Sequence, residues 1–235
     1  MIKFFRKIRY DLMEKNKTGK YFKYAFGEIV LVVIGILIAL SINNWNETNK
    51  NEREQIVFLN NLKNDLKNDL IQLDQILKLQ KEKLSTVNEL KDQLLSIKDF
   101  EKIEQLFVKI MASDNETYFP NTGSYTTSVS SGKIASLNPS SLRIAITNLY
   151  ERYYYRLIYN GEFYDKKLNE VSSSQGKFFN TLTLKLNSKD VIEDSEFVNL
   201  ITMWFIENSI YVKKGEETKS EILNVLKLVE QRLND

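Results

Sequence analysis

Residues 56–97 read IVFLNNLKNDLKNDLIQLDQILKLQKEKLSTVNELKDQLLSI. Apolar side chains recur at Ile56, Leu59, Leu62, Leu66, Leu70, Leu73, Leu77, Leu84, Val87, Leu90, Leu94 and Ile97, mostly in steps of three and four. That period marks one face of an α-helix, because a strand alternates in steps of two. The stripe has a polar gap at Gln80, and no Pro or Gly lies between Gly35 and Pro120 to interrupt a helix. The segment is therefore read as a long amphipathic helix with a coiled-coil-like seam. Packing of the stripe on other helices of its own chain is the favoured expectation. A parallel homodimer held by the seam is the alternative.

Composition agrees with few, long helices. The 235 residues include only 8 Gly and 2 Pro, too few for the tight turns of an all-β domain. Downstream of the seam, Asp99 is placed to cap a helix from Phe100 to Met111. Residues 112–124 form the clearest loop. A short helix over 125–131 ends at Gly132, which suits a left-handed C-terminal position. Asn138-Pro139 signals another start, with Asn138 as the cap and Pro139 in the first turn. From there a helix extends to about Asn187, with Gly161 and Gly176 as weak points. Asp194 caps a helix through Tyr211, and Lys213-Lys214-Gly215 breaks the chain before a last helix from Glu216 to Leu233. Four or five long helices with short connections predict an all-α antiparallel bundle.

Upstream of the seam the chemistry changes. The chain has 33 Lys+Arg against 31 Asp+Glu, a net charge of +2, yet residues 1–24 alone carry eight basic and two acidic side chains. The most apolar run of the protein follows, Ile29 to Leu40. From Ala25 to Trp45 a helix rises roughly 31 Å, about one hydrocarbon core. Tyr21 and Tyr24 stand at one end and Trp45 at the other, as interfacial aromatics do. A transmembrane helix is expected over residues 25–45. A cleaved signal peptide fits less well, because the segment before the apolar run is too long for an ordinary basic leader region. The basic flank places the N-terminus in the cytoplasm and residues 46–235 outside the inner membrane. Lys3, Arg6, Lys7 and Arg9 surround Ile2, Phe5, Ile8 and Leu12 in an amphipathic pattern. Residues 1–24 are thus read as a basic segment lying on the anionic leaflet, not as a nucleic-acid site. Glu28 near the end of the span, and the small pair Gly35 and Ala39, are the positions through which a partner helix would contact it.

The stretch Gly27 to Glu47, GEIVLVVIGILIALSINNWNE, resembles the hallmark of an uncharacterised family of single-anchor membrane proteins from Bacteroidota. Members open with a sequence like the MIKFFRKIR found here. They often carry a later Tyr-x-x-x-x-Ser-Ser-Gly-Lys segment, matched by Tyr125, Ser130, Ser131, Gly132 and Lys133. The first 47 residues match closely; the rest matches in length, helical character and that one segment. The resemblance implies a bacterial inner-membrane protein with a helical extramembrane domain. It supplies no activity.

Composition removes many chemistries. There is no His and no Cys, which excludes Ser-His-Asp triads, Cys-His dyads, thiolate or His metal sites and disulfides. Ser130-Ser131-Gly132-Lys133 matches S-x-x-K, Ser136-Leu137-Asn138 matches S-x-N and Lys213-Lys214-Gly215 matches K-x-G, the order found in serine acyl-enzymes. The first two lie almost adjacent and no strand pattern surrounds the third, so they are read as helix ends. Gly132-Lys133 lacks the earlier glycine and the following Ser/Thr of a P-loop. Asp190, Glu193, Asp194 and Glu196 lack the spacing of a calcium loop and suit a helix N-terminus.

The best candidate surface is tyrosine-rich. Tyr150, Tyr153, Tyr154, Tyr155, Tyr159 and Tyr164 fall in one helix with Arg152 and Arg156 among them. Tyr150, Arg152, Tyr153, Tyr154, Arg156 and Tyr159 offer an aromatic and cationic face for a ligand or partner. Bundle packing of the rings is the competing expectation. The sequence implies no cofactor and no catalysis. Its expected partners are the lipid bilayer and either a protein or a second copy of the chain. The leading expectation is an anchored interaction or scaffold protein of the bacterial envelope, and the alternative is a single-span periplasmic sensor.

Overall fold

A computed structural model describes Tyr10, residues 18–113 and residues 115–234. Lys3, Arg6, Lys7 and Arg9, with the amphipathic segment they belong to, lie outside the described residues, as does the side chain of Tyr21.

Helix α1 runs from Thr18 to Asp92 and continues into a wider π turn, Gln93–Ile97. Lys98 then takes a left-handed conformation, φ 54°, and turns the chain. Helix α2 (Phe100–Met111) starts at Asp99, whose carboxylate accepts the Lys102 N–H at 3.2 Å. Helix α3 (Gly123–Ser130) ends before Gly132, whose φ of +73° fits the absence of a Cβ. Helix α4 (Ser140–Asn148), a π turn (Leu149–Tyr154) and helix α5 (Tyr155–Ser174) follow one another without a gap. Two short antiparallel strands, β1 (Phe179–Asn180) and β2 (Lys185–Leu186), pair Phe179 with Leu186. Helix α6 (Ser195–Asn234) closes the chain, with Asp194 accepting the Glu196 N–H at 2.7 Å. The fold is all-α; among the described residues the hairpin is the sole sheet.

The chain divides into two compact units, one up to Gln55 and one from Ile56. In the first, the apolar side chains of α1 are exposed: Ile29 and Ile42 are each 61% exposed, and Leu31, Val32, Ile36 and Leu40 are exposed with them. This is the one helix among the described residues that is long and apolar enough to cross a membrane.

The second unit is a bundle built on the seam. Leu59, Leu62, Leu66, Leu73, Leu77, Val87, Leu90 and Leu94 are all buried within their own chain. Ile56 and Ile97, at the ends of the stripe, are exposed. Helix α6 packs antiparallel to α1, as ion pairs Lys63–Glu230 at 3.4 Å, Lys219–Asp74 at 2.7 Å and Lys81–Glu216 record. The π turn and helix α5 run parallel to α1, with Tyr154 of the turn opposite Asp69 and Tyr164 of α5 opposite Gln80. The core falls into two apolar clusters. One gathers Leu59–Leu77 with Ile146, Leu157, Ile222 and Val225; the other gathers Val87–Leu94 with Phe107, Phe179, Phe197 and Trp204. Between these stretches of α1 lie the buried polar side chains Gln80, Lys83 and Thr86, with Asn208 from α6.

Three sequence expectations are corrected. The helix after Asn138-Pro139 begins at Ser140 with Pro139, not Asn138, as its cap. It does not reach Asn187 but stops at Ser174, because Phe178, Phe179 and Leu186 are drawn into the second cluster against Phe107 and Phe197. No break occurs at Lys213-Lys214-Gly215, through which α6 passes uninterrupted. A Cβ at Gly215 would lie 2.6 Å from Leu77 Cδ2. The glycine is there for close approach of two helices rather than for a turn.

Candidate functional site

The tyrosine-rich segment divides into an inner and an outer set. The π turn carries an extra residue per turn relative to an α-helix, and it buries Leu149, Tyr150 and Tyr154 together. Tyr150 stacks on Tyr125 with ring centroids 4.2 Å apart, and Tyr154 meets Tyr118 edge-on at 5.6 Å. These rings follow the packing expectation. Arg152, Tyr153 and Arg156 point the other way and line a groove of about 490 Å³, joined by Glu151, Tyr155, Lys214, Glu217 and Thr218. Lys214 is paired with Glu217 at 2.6 Å. Tyr159 is 53% exposed and does not line this groove. Of the six residues singled out in the sequence, three share one site.

On the inner side of the same segment, against Tyr154, lies a buried carboxylate that sequence reasoning missed. Asp69 is 0% exposed. It accepts hydrogen bonds from the Asn121 N–H at 2.8 Å, the Asn121 amide at 2.7 Å and the Tyr154 hydroxyl at 2.7 Å. Burial raises its pKa above 3.8, and the three hydrogen bonds oppose that shift. Burial also pushes the phenols of Tyr118, Tyr150 and Tyr154 well above 10, and as neutral donors Tyr150 and Tyr154 bond the Asn121 carbonyl and Asp69. Tyr211 accepts the Tyr118 N–H at 2.9 Å, and burial raises its phenol to about 12. Together Asp69, Tyr154 and Tyr211 tie the loop around residues 115–122 to the bundle. With its partners all internal, Asp69 serves to anchor that loop.

A second polar network fills the layer between the apolar clusters. Gln80 is 0% exposed. Its amide donates to the Glu116 carbonyl at 2.9 Å, and its Oε1 accepts from Asn208 at 3.1 Å and from Tyr164 at 3.3 Å. The gap in the apolar stripe is thus a hydrogen-bonded position of the helix, not a weak spot.

The remaining candidates occupy plain structural settings. Ser131 Oγ donates to the Thr127 carbonyl at 2.8 Å, so this part of the S-x-x-K segment closes a helix end. Tyr125, which opens the longer Tyr-x-x-x-x-Ser-Ser-Gly-Lys segment, donates to Glu151 at 2.9 Å. Glu193 pairs with Lys98 at 2.6 Å and Glu196 with Lys177 at 2.8 Å, while Asp194 caps α6. Among the described residues no group of three or more acidic side chains is arranged to hold a metal ion. In the first unit Tyr24 and Trp45 are exposed, Glu28 is half-buried, and Gly35 and Ala39 are exposed. The space around Gly35 is open.

Residues 28–209 match the model of a family of unknown function, DUF6090. No curated protein and no solved structure matches the chain.

Proposed function

We propose, for a chain that belongs to the DUF6090 family of unknown function, the role of a membrane-anchored interaction protein of the bacterial envelope. In this reading α1 holds the bundle at the bilayer, and the bundle presents a surface to a protein partner or a second copy, with no catalysis of its own. The observation that carries it is a contrast in burial. The run Ile29–Ile42 is exposed along its whole length, whereas the seam of the same helix, Leu59–Leu94, is packed inside the bundle. At roughly 25 cal/mol per Å² of apolar surface, so long an exposed run is stable only against lipid or another apolar surface. The basic residues before the span orient it with the N-terminus in the cytoplasm and the bundle in the periplasm. The seam is consumed within the chain, so an interaction uses the outer faces of the bundle or the Gly35–Ala39 face of the span.

The groove at Arg152, Tyr153 and Arg156 supports a second reading, a periplasmic sensor that binds an anionic ligand or peptide and reports through its single span. The two readings separate by native-mass measurement after gentle detergent extraction from its own membranes. The interaction reading expects a complex heavier than one chain, unchanged by small ligands. A chain that runs alone under every gentle extraction condition ends it.

A further inference from the structure

A cavity of about 200 Å³ sits in the polar layer that separates the two apolar clusters, apart from the groove at Arg152. Apolar walls come from Val87 of α1, Ile110 of α2 and Leu168 of α5, while Trp204 and Asn208 line it from α6. Its mouth lies at Asn115 and Asn169, both exposed. Lys83 lines it too, and the charge of that side chain is answered within the fold. It acts electrostatically on the carboxylate of Asp165, which Asn115 and Thr117 hold by hydrogen bonds. An ion entering this layer would give up its hydration for no unmatched counter-charge. The cavity therefore favours a neutral occupant.

Two polar atoms of the walls are buried without a protein partner: the indole N–H of Trp204 and Oδ1 of Asn208. The two residues are 6% and 1% exposed. They stand four positions apart on α6, so both meet the cavity from adjacent turns of one helix face. The Asn208 amide nitrogen is already engaged by Gln80 and Tyr164, both at 3.1 Å, which leaves Oδ1 as the open end of that group. A buried polar atom left unmatched costs roughly tenfold or more in an equilibrium constant. A polar layer serving only to fix helix register would close on itself, as the Gln80 hydrogen bonds do. The α6 wall instead offers one neutral donor and one neutral acceptor beside apolar walls.

We propose that this cavity binds a small neutral carboxamide. The amide carbonyl accepts from the Trp204 indole, the amide nitrogen donates to Asn208 Oδ1, and the alkyl part packs on Val87, Ile110 and Leu168. One planar group carrying an acceptor beside a donor thus meets a wall carrying a donor beside an acceptor. A carboxylate of the same shape lacks the donor and brings a charge, and a ketone of the same shape lacks the donor. Water satisfies the two polar atoms but leaves the apolar walls wet, and its displacement from them favours the alkyl part. At about 30 Å³ for each water-sized group, the volume holds roughly six or seven non-hydrogen atoms, the size of isobutyramide. The proposal rests on neither reading given above and stands if both fail.

The test uses the full chain in detergent with Trp45→Phe, which leaves Trp204, in the cavity wall, as the sole tryptophan. Its emission is titrated with isobutyramide, isobutyrate and methyl isopropyl ketone, which share nearly one shape. The expected result is a saturable change with isobutyramide at about millimolar Kd. The carboxylate and the ketone bind at least about tenfold more weakly. Leu168→Phe, which narrows the cavity, weakens isobutyramide by at least about tenfold. Asn208→Leu, which removes the acceptor, brings isobutyramide down to the level of the ketone. Melting temperatures of the free variants show whether the bundle is intact; if Asn208→Leu does not fold, the ranking of the three ligands and Leu168→Phe decide. No saturable change with isobutyramide means that the cavity holds water only, and it overturns the proposal. So does either control ligand binding as tightly, an unchanged affinity in Leu168→Phe, or an amide preference that survives Asn208→Leu.

Discussion

The hydroxyl of Tyr154, the last residue of the π turn, donates to the carboxylate of Asp69 on α1 at 2.7 Å, and both residues are buried. This bond, with the two from Asn121, joins α1, the π turn and a loop at one atom pair. Asp69→Ala leaves the Tyr154 hydroxyl and the Asn121 N–H unmatched and is expected to cost about 3 kcal/mol in urea unfolding. Asp69→Asn keeps an acceptor for Asn121 and lets Tyr154 accept instead of donate, so its cost is smaller.

The same residue sets a pH dependence. Its folded pKa is raised above 3.8 by burial, so the stability it contributes is full below 3.8 and is lost as pH rises through the folded value. The stability of the wild type relative to Asp69→Asn is therefore highest at the acid end and declines as pH rises above 3.8. It levels once the folded value is passed. Unfolding midpoints of the two proteins across an acid-to-neutral series check this; a difference that grows with pH contradicts it.

Gly215 and Leu77 define the closest approach of α6 to α1. Gly215→Ala places a Cβ against a Leu77 side chain that is 2% exposed and has little room to move. The substitution is expected to destabilise the bundle by about 1–3 kcal/mol despite the better helix propensity of Ala. Leu77→Ala in the same chain recovers part of that loss, so the two substitutions combine to less than the sum of their separate effects in a double-mutant cycle.

The anchor is tested at the centre of its apolar run. Ile36→Arg adds about 3 kcal/mol to the cost of inserting the span and is expected to reduce the carbonate-resistant membrane fraction. Val57→Arg, at a position 60% exposed and beyond the apolar run, leaves that fraction unchanged.

Arg152 and Arg156 are exposed on the groove, so Arg152→Glu with Arg156→Glu is expected to leave the melting temperature nearly unchanged, within about 0.5 kcal/mol each. If the groove takes a partner, that pair dissolves the detergent-extracted complex. A complex of unchanged mass places the interaction on another face.

Much of this architecture is legible in residue spacing. The seam, the cap at Asp99, the left-handed Gly132 and the cap at Asp194 follow from local chemistry and reappear in place. What escaped depends on contacts distant in sequence. Steps of three and four from Leu66 reach Leu73 through Asp69 as well as through Leu70. Choosing Leu70 because it is apolar hid the buried carboxylate, which is explained only by Asn121 and Tyr154. Gly215 reads as a break until Leu77 is seen against it. The hairpin at Phe179–Leu186 lies inside a weakly helical stretch, and its strands form because Phe107 and Phe197 take up the aromatic rings. Tyr150 and Arg152 are neighbours in sequence, but the π turn directs the first into the core and the second onto the groove.

The central claim is an anchored bundle on the outer side of the membrane. Protease accessibility in intact spheroplasts tests it most directly. The account predicts that external protease removes residues 56–235 while the membrane is intact. A bundle that stays protected until the membrane is lysed would contradict the orientation, and the envelope readings would fall with it.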